Sequence, residues 1–186
     1  MTEIWRERYE LHKLLLERAF TFGDFTLSSG RKSNYYFDGR QVTLDGRGAR
    51  LVGDVILDRC REVGAQAIGG LTLGADPIVA AVAALSGEGD SPLQAFIVRK
   101  EAKGHGAGAL IAGPPLKPGT RVVIVDDTTT TGNSFFKTME ALDGLGVEII
   151  EAVVIVDRDE GAREALAAKG ISLHALYARS EFPDEN

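Results

Sequence analysis

Residues 121–134 read Arg-Val-Val-Ile-Val-Asp-Asp-Thr-Thr-Thr-Thr-Gly-Asn-Ser, and no other stretch restricts the possible folds as tightly. Residues 122–125 form a continuous apolar run, the pattern of a strand buried on both faces of a parallel sheet. Asp126 and Asp127 stand where that strand is expected to end. Thr128, Thr129, Thr130 and Thr131 follow, then Gly132, and a helical pattern begins at about Asn133 or Ser134. Strand, short polar loop and helix N-terminus in that order make an anion site, because unpaired backbone N–H groups and the positive end of the helix dipole face one point. A phosphate suits the loop, yet the adjacent acidic pair would repel it. Both features are accommodated by a ligand with a phosphate at one end and hydroxyls or a metal ion beside it. A ribose 5-phosphate is such a ligand. The plainer reading is an Asp–Thr turn that caps a helix. The coincidence of apolar strand, double Asp and four-Thr loop closed by Gly favours the ligand site.

The chain has 186 residues, enough for one domain with a single sizeable core, and we read residues 1–186 as that domain. A formal charge of −6 argues against a nucleic-acid or anionic-membrane surface, so neither partner is expected. The single cysteine, Cys60, rules out a disulfide framework and a Cys-based zinc site, and it suits a reducing cytoplasm. Charges at Glu3, Arg6, Glu7 and Arg8 exclude a signal peptide or membrane span at the start of this sequence.

Apolar periodicity predicts an amphipathic helix over residues 3 to about 20, then two short β segments within 25–38 joined by a polar turn at Gly30. Tyr36 and Phe37, adjacent in the second segment, point to opposite faces, so at least one can meet a ligand. Helices are expected at 47–63, at 78–85, from Asn133 or Ser134 to 145, and from an opening at 157–160 to about 168, with strands at 66–70, 93–98, 148–156 and 172–177. Strands alternating with helices give an α/β class with a mainly parallel sheet. Ligands of such sheets lie beyond the carboxyl ends of the strands. The Gly69–Gly70 pair after a buried strand is read as allowing close approach of a ligand. Residues 99–108, Arg-Lys-Glu-Ala-Lys-Gly-His-Gly-Ala-Gly, place Arg99, Lys100, Lys103 and His105 on a glycine-hinged segment. Such a run is usually a solvated surface; leaving a core strand near a phosphate loop, it also has the composition of a lid.

The run at 122–134 resembles the 5-phosphoribosyl 1-pyrophosphate (PRPP) motif of type I phosphoribosyltransferases. With residues 25–37, 99–106 and Asp157-Arg158 added, the chain is similar to the orotate phosphoribosyltransferase family from about residue 20 to 160. That resemblance implies the type I phosphoribosyltransferase fold: a mainly parallel five-stranded sheet flanked by helices, with a small hood subdomain from about residues 1–40. It implies transfer of the phosphoribosyl group from PRPP to orotate, giving orotidine 5′-monophosphate and pyrophosphate in pyrimidine synthesis. It also implies Mg²⁺, carried mainly by PRPP with Asp126 or Asp127 as possible ligands, and a homodimer whose lid loops are shared across the interface. By matching position, Asp126 and Asp127 take the ribose hydroxyls, and residues 128–134 take the 5-phosphate. Arg99, Lys100, Lys103 and His105 serve the pyrophosphate, with Lys103, Asp127 and Arg99 assigned to catalysis. Tyr36, Phe37, Thr130 and Arg158 are assigned to orotate, where the Arg158 fork can pair with the carboxylate. Two family positions depart: Ser28 replaces a lysine, and Thr72-Leu73 replaces a Tyr-Lys pair. A PRPP-sensing regulator would need a DNA-binding segment or basic face, and none is seen in the sequence. A transferase for a purine or another pyrimidine stays open at this stage.

Overall fold

The computed structural model describes residues 3–26, 32–102 and 110–183. Helix α1 (Glu3–Arg18) leads into a hairpin of β1 (Phe20–Thr26) and β2 (Lys32–Phe37). A short helix α2 (Arg40–Thr43) precedes the long α3 (Gly46–Glu62), whose N-cap Asp45 accepts from the N–H groups of Arg47 and Gly48. Then come β3 (Ala67–Leu71), α4 (Ala75–Ser86), β4 (Gln94–Val98) and a two-residue β5 (Ile111–Ala112). The chain continues through β6 (Arg121–Thr129), α5 (Asn133–Leu142), β7 (Glu148–Asp157), α6 (Ala162–Ala167) and β8 (Leu173–Ala178).

The central sheet has the order β5-β4-β3-β6-β7-β8. Its five longer strands pair in parallel, as expected, and β5 adds a short antiparallel edge along β4. On β6, Val123 and Val125 face a core shared with Leu15, Ile56, Ile78, Ile155 and Leu176. Val122 and Ile124 face a second core with Phe96, Phe135, Leu142, Val154 and Leu166. Alternation across the pleat thus divides one apolar run between two helical layers. The layers are also tied by charge: Arg59 on α3 donates from Nε and Nη2 to the Glu151 carboxylate on β7, at 2.7 and 2.6 Å. Cys60 is fully buried in the first core. Among the described residues no helix is long and apolar enough to cross a membrane.

Some elements differ from the sequence reading for a local reason. Strand β6 does not stop at its apolar run but continues through Asp126, Asp127, Thr128 and Thr129, because β7 keeps pairing with it as far as Thr129↔Asp157. Its other neighbour, β3, has left by Gly69↔Ile124. The hairpin begins at Phe20 rather than 25; a register shift between Phe22 and Phe25, around Gly23 at φ 146°, hides the alternation. Helix α6 starts at Ala162, after a turn with Asp159 at φ 56° and Gly161 at φ 101°. Strand β5 was not expected at all, since two residues carry no periodicity.

Candidate active site

The extension of β6 beyond β3 places the acidic pair at an opened edge of the sheet. Asp126 is 8% exposed, and its Oδ1 accepts from the Asp127 N–H at 2.9 Å. The Thr128 N–H in turn donates to Asp127 Oδ1 at 2.9 Å. Burial, reinforced for Asp126 by the neighbouring Asp127 charge, raises both carboxyls above the usual range. Hydrogen bonding from Ser134 acts against this shift at Asp126. Such a pair gains by meeting hydroxyl donors or a cation.

Two glycines wall it. A Cβ at Gly74 would lie 2.5 Å from Asp127 Oδ1 and 2.6 Å from Asp126 Oδ1; one at Gly39 would lie 2.9 Å from Asp127 Oδ2. Sequence reading placed the segment 71–74, with Gly74, at this edge after β3 but did not select Gly39, two residues past the aromatic strand. The Gly69–Gly70 pair is required by packing. A Cβ on Gly69 would strike the Phe96 ring at 2.4 Å, and one on Gly70 the Val125 carbonyl at 2.1 Å.

Beyond Thr129 the chain makes a three-residue loop, 130–132, and enters α5. Gly132, at φ 83°, is the N-cap and offers no side-chain cap, so the first N–H groups of α5 are left for another acceptor. The four threonines divide. Thr128 Oγ1 donates to the Val156 carbonyl at 3.3 Å, and Thr129 is buried within the strand. Thr130 and Thr131 belong to the loop, and Asn133 is exposed at the start of α5.

Parallel strands bring three further segments to the same edge. After β3, the Thr72 N–H reaches the Val98 carbonyl and Thr72 Oγ1 donates to Asp76 Oδ2 at 2.8 Å; the Thr72–Leu73 peptide is cis. After β4, the Arg99 N–H pairs with the Leu110 carbonyl, and Arg99 Nη1 donates to the Ile111 carbonyl at 3.1 Å. Residues 99–110 therefore leave and return at one point. Lys100 is exposed at that base, while Lys103 and His105 lie outside the described residues. After β7, the Arg158 N–H donates to the Thr129 carbonyl, and Arg158 Nε donates to Tyr35 Oη at 2.9 Å. Of the two aromatics selected on β2, Tyr36 is 43% exposed and packs on Phe25, whereas Phe37 is 7% exposed and meets Phe20 in the core. Arg158 does not pair with Asp157, which lies 3.6 Å from Arg163 instead; its carboxylate neighbour is Glu160, at 3.2 Å.

The phosphoribosyl transferase domain model matches residues 67–173, from β3 to the start of β8. An orotate phosphoribosyltransferase of Thermosynechococcus vestitus is 48% identical over 174 residues, spanning 94% of this chain and 92% of the relative. The crystal structure of Mycobacterium tuberculosis orotate phosphoribosyltransferase superposes with a TM-score of 0.83 at 38% identity, covering 94% of this chain and 98% of that one. The chain belongs to the orotate phosphoribosyltransferase family. That M. tuberculosis protein has also been solved in complex with PRPP, and this form superposes with a TM-score of 0.78 at 35% identity, covering 94% of this chain and 98% of that one. Against the orotate phosphoribosyltransferase pattern, Leu73 stands 55% exposed where a lysine was expected, and Ser28 lies outside the described residues. A different cation is close by. Arg40 holds Asp38 through Nε at 2.7 Å, keeping that carboxyl below its usual range, and its own positive charge acts on Asp127. The Asp38-Gly39-Arg40 run was the available signal, and it went unused because a short polar run after a strand reads as a turn.

Proposed function

We propose that this protein transfers the 5-phosphoribosyl group of PRPP to orotate, releasing pyrophosphate and orotidine 5′-monophosphate, a step of pyrimidine synthesis in the cytoplasm. The observation that carries this reading is the acidic pair, with Asp126 buried and Asp127 partly so, walled by Gly39 and Gly74 beside a helix N-terminus without a side-chain cap. Asp126 and Asp127 accept from the ribose diol. The N–H groups of the loop and of α5, with Thr130 and Thr131, receive the 5-phosphate. Arg158 pairs with the orotate carboxylate and Tyr36 lies along the base, while Phe37 supports that strand from the core. The reaction is displacement at the anomeric carbon, with orotate N1 attacking as pyrophosphate leaves. Alignment of the two substrates supplies much of the acceleration. Arg99, Lys100, Lys103 and His105 stabilise the negative charge that develops on the leaving group. Closing of residues 99–110 excludes the water that would otherwise compete for the same carbon.

The residues present fit Mg²⁺. Hard carboxylate oxygens stand at the site, and among the described residues no cluster of three or more His, Cys, Asp or Glu forms a protein-only cage. That donor set suits a cation that arrives on a polyphosphate and takes one or two carboxylates, here Asp126 or Asp127. When bound, Mg²⁺ neutralises charge on the pyrophosphate. The lid reaches the neighbouring subunit of a homodimer, and α1 with the β1–β2 hairpin forms the hood over a single domain.

The test is the protein with Mg²⁺, PRPP and orotate, followed by loss of orotate absorbance, with uracil, adenine, guanine and xanthine in parallel. Turnover with orotate alone supports the proposal. Turnover with another base overturns the choice of substrate, and silence with every base overturns the activity.

A further inference from the structure

Arg158 can select an acid base only if its guanidinium is held with the right edge outward. An arginine side chain has several rotatable bonds, and a bidentate grip on a carboxylate demands one orientation of a planar fork. The described residues supply such a hold. Tyr35, 8% exposed, stands on β2 immediately before the two aromatics of the sequence reading, and its side chain turns inward with Phe37. Tyr35 Oη accepts from Arg158 Nε at 2.9 Å, and the Arg158 guanidinium carbon lies 4.9 Å from the centre of the same ring. A second guanidinium, that of Arg179 after β8, lies 4.3 Å from that ring centre. Arg179 is itself tied to the Phe182 carbonyl, at 2.8 Å, and lies against Phe20. Glu160, 3.2 Å from Arg158 Nε, balances charge on the same edge. Among the described residues, Arg158 side-chain hydrogen bonding is confined to Nε, so the Nη1–Nη2 edge remains for a ligand.

We propose that Tyr35 is a positioning residue for orotate specificity: its hydroxyl occupies the Nε–H of Arg158 and so aims the Nη1–Nη2 fork at the carboxylate of the base. Tyr35 touches no reacting atom; it acts through Arg158. The inference rests on Arg158 as the partner of the orotate carboxylate, and the experiment separates the two claims.

Steady-state kinetics with Mg²⁺, PRPP and orotate are measured for the unmodified protein, Tyr35→Phe, Arg158→Lys and the double variant, with a melting temperature for each. Tyr35→Phe keeps the ring and removes the hydroxyl, and with it the acceptor for Arg158 Nε. It is expected to raise the orotate KM about tenfold and leave the PRPP KM within about twofold. In the Arg158→Lys background the same change is expected to cost nothing further, because the group it aims is gone. An unchanged orotate KM in Tyr35→Phe, with a raised one in Arg158→Lys, overturns the positioning role and leaves the Arg158 assignment standing. An unchanged orotate KM in Arg158→Lys overturns that assignment and the proposal with it. Equal costs of Tyr35→Phe in both backgrounds, or a parallel rise in both KM values with a lowered melting temperature, show a merely structural tyrosine and also overturn it.

Discussion

Asp126 and Asp127 lie in surroundings that disfavour their charge, and this has a consequence for stability. Both carboxyls have raised pKa values in the folded chain, so between the ordinary carboxylate range and the raised one the folded state binds more protons than the unfolded state. Their contribution is therefore most favourable at low pH and is lost as pH rises through the raised values. Asp126→Asn removes the burden of a buried charge. Its melting temperature without ligand should exceed that of the parent by a few degrees at pH 8, with the gap closing towards pH 4. Scanning calorimetry at the two pH values checks this, and a constant gap would contradict it. The same substitution should weaken PRPP binding, since only the charged pair is a strong acceptor for two hydroxyls. At Gly74 the limit is space. A Cβ there meets both carboxylates inside 2.7 Å, with Asp126 Oδ1 at 2.6 Å. Gly74→Ala should therefore displace the pair and raise the PRPP KM about tenfold while circular dichroism stays unchanged.

At the scale of elements, β6 carries two jobs along one strand. Its first half, Val122 to Val125, is at most 1% exposed and holds the two layers together. Its second half, paired only with β7, presents the acids at the sheet edge. Truncation of the first half is felt as a cavity: Ile124→Ala should cost about 2–5 kcal/mol in urea unfolding. A cost well under 1 kcal/mol would mean that the second core collapses around the gap. The strand's polar half could not be read from apolar periodicity, because its continuation is imposed by the hydrogen-bonding ladder of β7. Helix α5, by contrast, was legible to within a residue at its start: Gly132 marks the turn, and the amphipathic pattern begins immediately after.

Across the whole molecule, the Arg59–Glu151 pair joins the α3 layer to the sheet, with the Glu151 side chain 7% exposed. Glu151→Ala leaves the part-buried Arg59 with only the exposed Glu62, 2.7 Å from its Nη1, and should destabilise by about 1–3 kcal/mol. A double replacement with Met at 59 and Leu at 151 should recover most of that loss in the same denaturation assay. Recovery would show that the cost lies in an under-compensated part-buried charge, and not in an indispensable salt bridge.

The order of the longer strands and helices, the α/β class and the strand–loop–helix at 122–134 were all legible along the chain, because each is a local pattern: apolar runs, a glycine at a turn, acids before a helix. Arg158 and Tyr36 were likewise selected as candidates by position within short motifs. What the sequence could not supply were relations between residues far apart in it. Gly39 and Gly74 matter through the distance of a missing Cβ to Asp126 and Asp127. Tyr35 matters through an oxygen 2.9 Å from a guanidinium that lies 123 positions away. Local propensity is written in the order of residues; steric walls and the aim of a side chain exist only once the sheet has brought its strand ends together.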